Sequence, residues 1–195
     1  MLSPDIHEKQ QLSLMEAVVK AAAQGGLANV TARKIGALAG INEVYIYRYF
    51  ENKDDLVSRT FTYADEHCLA HILDNFCIMD HADENYEECC HKLFTSVWNW
   101  IMERPEWCLF YVRYYYSSVY QKNSYEDHIR RFEVLVDKMR PACHPEAKVD
   151  IVLHHIVDTI LGQARKQIMH PQDPDVAREN AFMLVFSVLK FGKGI

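Results

Sequence analysis

Apolar residues recur along most of this chain at three- and four-residue intervals and almost nowhere at every second position, a helical rather than an extended period. Leu14, Val18, Ala21 and Ala22 form the first such stripe. It predicts a helix that opens near Ser3-Pro4-Asp5, where proline suits a first turn and acidic groups suit the positive helix end, and that closes at Gly25-Gly26. Thr31 is expected to cap a short helix over 32–39, with Ile35, Leu38 and Ala39 as its stripe. Gly40 supplies a tight turn, and Asn42 caps a helix over 43–49. After Asn52 a long helix opens at Lys53-Asp54-Asp55 and is expected to continue to about Asp80, with Leu56, Phe61, Ala64, Cys68, Ile72 and Phe76 on a common face. Further helices are expected over 83–103, 105–118, 123–139, 146–169 and 175–191. Pro105, Pro141 and the prolines of "HPQDP" (170–174) forbid continuation between them. The expected fold class is all-α.

Composition narrows the class. The 195 residues are 49% hydrophobic, which excludes disorder, and no uninterrupted apolar run approaches the roughly 20 residues of a membrane-spanning helix. The opening residues lack the basic and apolar regions of a signal peptide, so a soluble cytoplasmic protein is expected and its six cysteines are read as thiols. Net charge is −6, which argues against nonspecific coating of nucleic acid. The charge is unevenly placed: residues 1–60 balance seven basic against seven acidic side chains, so the whole negative excess lies beyond them. Two functional parts are expected, residues 1–52 and residues 53–195.

Two short helices around a glycine-containing turn form a helix-turn-helix pattern. A recognition helix enters the major groove of B-DNA, roughly 12 Å wide, with its first residues at base edges and its flanks on phosphates. Glu43, Val44 and Tyr45 stand where base contacts are made. Tyr47, Tyr49 and Lys53 stand where phosphates pass, Thr31 and Arg33 form a second phosphate wall, Asn42 opens the helix, and Arg48 is a further candidate for DNA contact. Ile35, Leu38, Ile41, Ile46, Phe50 and Leu56 are the apolar set expected to hold the two helices together. At 100° per residue, Tyr45, Tyr47 and Tyr49 fan over more than half of a helix circumference, so at least one is expected to pack inward.

The stretch "TARKIGALAGINEVYIYRYFENKDDL" resembles the N-terminal DNA-binding domain of the TetR family of bacterial transcription regulators. Thr31, Ile35, Ala39, Gly40, Ile41, Asn42, Ile46, Tyr47, Tyr49, Phe50, Lys53 and Leu56 fill the family's pattern in order, and "AVVKAAAQGGLANVT" resembles the end of its first helix and the following loop. About 50 residues carry the resemblance. Glu43 departs from it where a basic or small polar residue is usual, Val44 replaces a small residue, Gly36 stands where the family usually has alanine, and the basic cluster ahead of the first helix is absent.

The resemblance implies a C-terminal ligand cavity and a dimer interface. The helices over 146–169 and 175–191 are the pair expected to form a four-helix bundle with a second copy. Trp98, Trp107, Phe110, Tyr111 and Tyr114 are the candidate lining of a ligand pocket, with Arg104 or Arg113 available to an anionic group. His67, His71 and Asp74 share a helix face at i, i+4, i+7, and Cys89-Cys90-His91 and Cys143-His144 add donors, but a solvated polar face accounts for the first set and no metal or cofactor is assigned. No phosphate loop, nucleophile elbow or HExxH motif supports catalysis. The expected function is ligand-responsive regulation: a repressor that binds a palindromic double-stranded DNA operator as a homodimer and is released by a small-molecule inducer. The alternatives are a same-fold activator or nucleoid-associated protein with a protein partner, a thiol or metal sensor, and a helical interaction module that has lost DNA binding.

Overall fold

The computed structural model describes residues 4–77 and 84–191. Among these, every regular element is helical: α1 (Pro4–Gly25), α2 (Ala32–Ala39), α3 (Lys53–Asp74), α4 (Tyr86–Met102), α5 (Pro105–Tyr115), α6 (Ser118–Asn123), α7 (Tyr125–Met139), α8 (Val149–Met169) and α9 (Pro174–Phe191). Three 3₁₀ turns join them, η1 (Leu27–Asn29), η2 (Glu43–Arg48) and η3 (Arg140–Ala142). No helix among the described residues is long and apolar enough to cross a membrane.

The chain divides into two compact units, residues 1–66 with 109–128, and residues 67–108 with 129–195. In the first unit, Leu14, Val18, Ala21 and Ala22 are fully buried on α1, as their period predicts; α1 packs against α2, and Ile35, Ile46, Phe50 and Leu56 are buried in the same unit. Phe61 stacks on Tyr114 (4.7 Å between centroids) and lies 4.8 Å from Tyr111, the centre of an aromatic cluster. A polar network runs through it. The Tyr111 hydroxyl donates to Asp65 Oδ1 at 2.7 Å, His128 Nδ1 lies 2.9 Å from the same oxygen, and the Tyr114 hydroxyl is 2.9 Å from both Ser58 Oγ and Ser124 Oγ. Buried polar groups are tolerated because each has such a partner.

In the second unit α8 and α9 pack as a hairpin against α4, burying Phe94, Val97, Leu153, Leu161, Ala164, Ala181, Phe182, Val185 and Phe186. Asp173 Oδ1 accepts from the backbone N–H groups of Asp175 and Val176, so the "HPQDP" break also supplies the start of α9.

Four expectations change. The 43–49 segment is a six-residue 3₁₀ helix, not an α-helix. The long helix ends at Asp74, where the Asn75 side chain donates to the His71 carbonyl at 2.8 Å and satisfies its last turn, leaving Phe76 beyond the helix. The expected boundaries at Asp80 and Asp83 lie outside the described residues. The 105–118 segment stops at Tyr115, because Ser117 leaves the helical conformation and its side chain accepts from Tyr120 N–H, opening the short α6. Leu38, assigned to the helix-turn-helix core, is 38% exposed.

Candidate nucleic-acid interface

The reading surface is built by caps and a turn that the sequence specifies. Lys34 N–H donates to Thr31 Oγ1 at 3.2 Å, which fixes the start of α2. Gly40 takes φ +68°, the left-handed conformation that stops the helix. Val44 N–H donates to Asn42 Oδ1 at 3.0 Å and opens η2. The turn is short because α2 and η2 approach closely at Gly36, whose carbonyl accepts from both Gly40 and Ile41 N–H. A Cβ there would lie 2.8 Å from Ile41 O and 3.0 Å from Glu43 N. The apparent departure at Gly36 is therefore a packing requirement of this turn.

The 3₁₀ geometry of η2 decides which side chains face out. Three residues per turn stack side chains in columns at i and i+3. Ile46 is fully buried, and Tyr49 in its column turns back to α1, where its hydroxyl donates to Gln10 Oε1 and its ring meets His7 edge-on at 5.1 Å. The second column presents Val44 and Tyr47, 65% and 56% exposed. The third presents Tyr45 and Arg48, with the guanidinium 4.3 Å above the tyrosine ring. Three nearly consecutive tyrosines thus receive three separate roles, and the inward one is Tyr49.

Of the remaining predicted residues, Thr31, Arg33, Asn42 and Glu43 are exposed on the same α2–η2 segment. Lys53 stands at the start of α3 paired with Asp54 at 2.9 Å. Asn52 Oδ1 accepts from Asp55 N–H while Asp55 Oδ2 accepts from Glu51 N–H, a reciprocal cap that fixes this helix start. Sequence reasoning missed Gln10, whose only signal was its place on the first predicted helix, and gave no partner to His7.

The second unit holds an apolar cavity of about 110 Å³. Its walls include Ile72, Phe94, Phe132, Leu153, Phe182 and Phe186, with Cys90 among them. The five residues named from sequence do not line it. Trp98 is buried and stacks on Phe94 in the second unit, Trp107 belongs to the same unit, and Phe110, Tyr111 and Tyr114 are core side chains of the first. Arg113 donates to the Ala22 carbonyl, and Arg104 donates to the Trp100 carbonyl at 3.0 Å and lies over its ring. The cavity was legible only as the inward stripes of α4, α8 and α9, which the sequence shows as ordinary core.

Residues 14–60 match the family model described as bacterial regulatory proteins, tetR family. No curated protein matches the chain. Among solved structures, the chain is similar to a TetR family transcription regulator from Marinobacter aquaeolei VT8, with 17% identity, TM-score 0.69, 93% of this chain and 95% of that one covered. A putative tetR family transcription regulator from Shewanella sp. PV-4 gives 14% identity and TM-score 0.76 over 91% of this chain and 96% of that one. The transcriptional regulator FadR from Bacillus subtilis, solved with stearoyl-CoA, gives 15% and 0.70 over 91% and 98%. At these identities the likeness establishes the fold. The family match itself is confined to residues 14–60, the segment that holds α2 and η2.

Proposed function

We propose that this chain, with its TetR-type module over residues 14–60, is a cytoplasmic repressor that binds a palindromic operator as a homodimer and is released by a small apolar inducer. The observation that carries the reading is the outward display of Val44, Tyr45, Tyr47 and Arg48 on a segment locked by the Asn42 cap and the buried Ile46. Val44 suits a thymine methyl, Glu43 suits the amino group of cytosine, and the tyrosine hydroxyls and Arg33 suit phosphate oxygens. In this reading residues 1–52 read DNA and residues 53–195 carry ligand binding and pairing.

Pairing is supported by the outer face of the α8–α9 hairpin. Ile151, Met169, Val176, Met183 and Leu184 are each between 47% and 68% exposed, an apolar strip that a second copy would cover. Gly162, mid-helix on α8, has nothing within 4 Å of its Cβ position, although glycine there costs about 1 kcal/mol relative to alanine. Close approach of a partner helix gives that glycine a use.

The cavity sets the chemistry of the inducer. Among the described residues its walls offer no charged or hydrogen-bonding side chain apart from the Cys90 thiol, which favours an uncharged, apolar ligand. At about 110 Å³ it suits a compact ring or short chain, smaller than the stearoyl group bound by the Bacillus subtilis regulator. Release follows by population shift: an inducer that prefers dimers with misplaced recognition segments disfavours DNA by the factor with which DNA disfavours inducer.

The test is selection of bound duplexes from a random pool at low salt, then a salt titration of the winner. A palindrome with half-sites one helical turn apart and affinity that falls with salt is expected. No enrichment with folded, ligand-free protein would sink the reading.

A further inference from the structure

Four of the six cysteines gather in one part of the second unit. Cys77 follows the end of α3, Cys89 and Cys90 lie in the first turns of α4, and Cys143 follows η3. The thiols of Cys90, Cys77, Cys89 and Cys143 interact electrostatically. Cys77 and Cys89 meet directly: Cys77 Sγ donates to the Cys89 carbonyl at 3.7 Å. Both are partly exposed, whereas Cys90 and Cys143 are buried. Among the described residues no three His, Cys, Asp or Glu side chains converge as metal ligands would, so the chemistry open to this cluster is pairwise.

We propose that Cys77 and Cys89 are a redox pair that closes to a disulfide on exposure to a peroxide, fastening the end of α3 to the start of α4. A peroxide oxygen is transferred to the Cys89 thiolate, giving a sulfenic acid and releasing the corresponding alcohol or water. The Cys77 sulfur then displaces hydroxide from the Cys89 sulfur, and its own proton leaves with that hydroxide as water. The peroxide gains the two electrons that the two thiols lose. Lys92, about one turn beyond Cys89 on α4, is paired with Glu88 at 2.6 Å and brings its ammonium within electrostatic reach of both sulfurs. Burial pushes the Cys77 thiol up, so it carries its proton into the second step, where that proton leaves as water.

The neighbours give the bond a consequence. Phe76 precedes Cys77 and Cys90 follows Cys89, and both side chains wall the apolar cavity. The disulfide would tie together two segments of that wall. Its effect on an inducer rests on the cavity reading above, but its formation does not.

The experiment uses the full chain, reduced, desalted and treated with stoichiometric hydrogen peroxide. Trypsin leaves both cysteines on one peptide because no Lys or Arg lies between them, so cleavage at Glu84, Glu87 and Glu88 is needed to resolve the link. A Cys77–Cys89 crosslink with loss of two hydrogen atoms is expected, lost in Cys77→Ser and in Cys89→Ser and retained in Cys90→Ser and Cys143→Ser, the Cys90 variant being needed because Cys89 and Cys90 stay on one peptide. Amide hydrogen exchange over residues 86–94 is expected to slow about fivefold or more on oxidation, and not in Cys77→Ser. A link that joins other cysteines, or a Cys77→Ser protein that still loses two hydrogens, overturns the pair. A correct link without slower exchange overturns the fastening. Absence of operator binding bears on neither result.

Discussion

Gly36→Ala sets helix propensity against packing, and the two give opposite signs. Alanine is favoured over glycine by about 1 kcal/mol in a helix interior, so a reading of α2 from sequence predicts stabilisation. In the structure the added methyl would stand 2.8 Å from Ile41 O, 3.0 Å from Glu43 N and 3.2 Å from Glu43 Cα, all backbone atoms. The segment they belong to is pinned by the left-handed Gly40, by Ile41 N–H on the Gly36 carbonyl and by the Asn42 cap, so it gives way only by moving the whole start of η2. Overpacking of this kind costs about 1–3 kcal/mol, which leaves a net destabilisation of about 1 kcal/mol after the propensity gain. For a chain of this size that lowers the melting temperature by about 2–4 °C. Ala37→Gly is the paired control: Ala37 is exposed on the same helix, and its replacement should cost about 1 kcal/mol by propensity alone. Both variants are thus expected to melt lower, as followed by circular dichroism, although propensity assigns them opposite signs. A higher melting temperature for Gly36→Ala would show that the turn yields freely and that the close approach does not position η2.

Met183→Glu probes the outer face of α9, where Met183 is 68% exposed. An exposed substitution should change the stability of one copy by no more than about 0.5 kcal/mol, but a carboxylate buried between copies should shift the mass by light scattering from dimer to monomer with the circular dichroism spectrum unchanged. An unaltered dimer would remove this face from the interface. A separate prediction concerns alkaline pH: burial raises the Cys108 thiol to about 12 and the Cys90 thiol also to about 12, above the ordinary 9.0. A pKa raised on folding contributes stability that is whole below pH 9 and lost as pH rises towards 12, by about 1.4 kcal/mol per pH unit for each such group. Urea midpoints should therefore fall between about pH 9 and about pH 10.5, and a flat profile would refute the assignment.

The regular part of the fold was legible because it depends on local chemistry. Thr31, Gly40 and Ser3-Pro4-Asp5 announce helix ends through caps and backbone preferences that act within a few residues, and α1 and α2 fall where they predict. The cavity was not legible. Trp98 and Tyr114 attract attention as large aromatics, yet each is consumed by neighbours that no local pattern specifies, while the cavity is lined by residues with the same apolar character as any helical core. Where side chains leave room depends on the distance between helices far apart in sequence. The exposure of Leu38 is a related case, since its period places it on the stripe of Ile35 but the short turn brings η2 against Gly36 instead.

The recognition segment shows why a period error matters for function. Read as an α-helix, residues 43–49 spread Tyr45, Tyr47 and Tyr49 continuously round a cylinder, and all three remain candidates for DNA. Read at three residues per turn, Glu43, Ile46 and Tyr49 share a column in which Ile46 is buried and Tyr49 turns to Gln10, while the other two columns face out. The outward columns then carry a single cation, Arg48, beside Val44, Tyr45 and Tyr47, and the exposed Glu43 opposes it. Lys53 is already paired with Asp54. Each phosphate neutralised contributes about 0.9 to the salt slope, so on the proposed reading a segment whose exposed cations are Arg33 and Arg48 would bind with a shallow salt dependence. Affinity would then come in larger share from apolar and hydroxyl contacts, which are lost on small displacements of η2 more readily than a long-range charge is. A regulator built in this way is well suited to release by a modest shift in the spacing of its two reading segments.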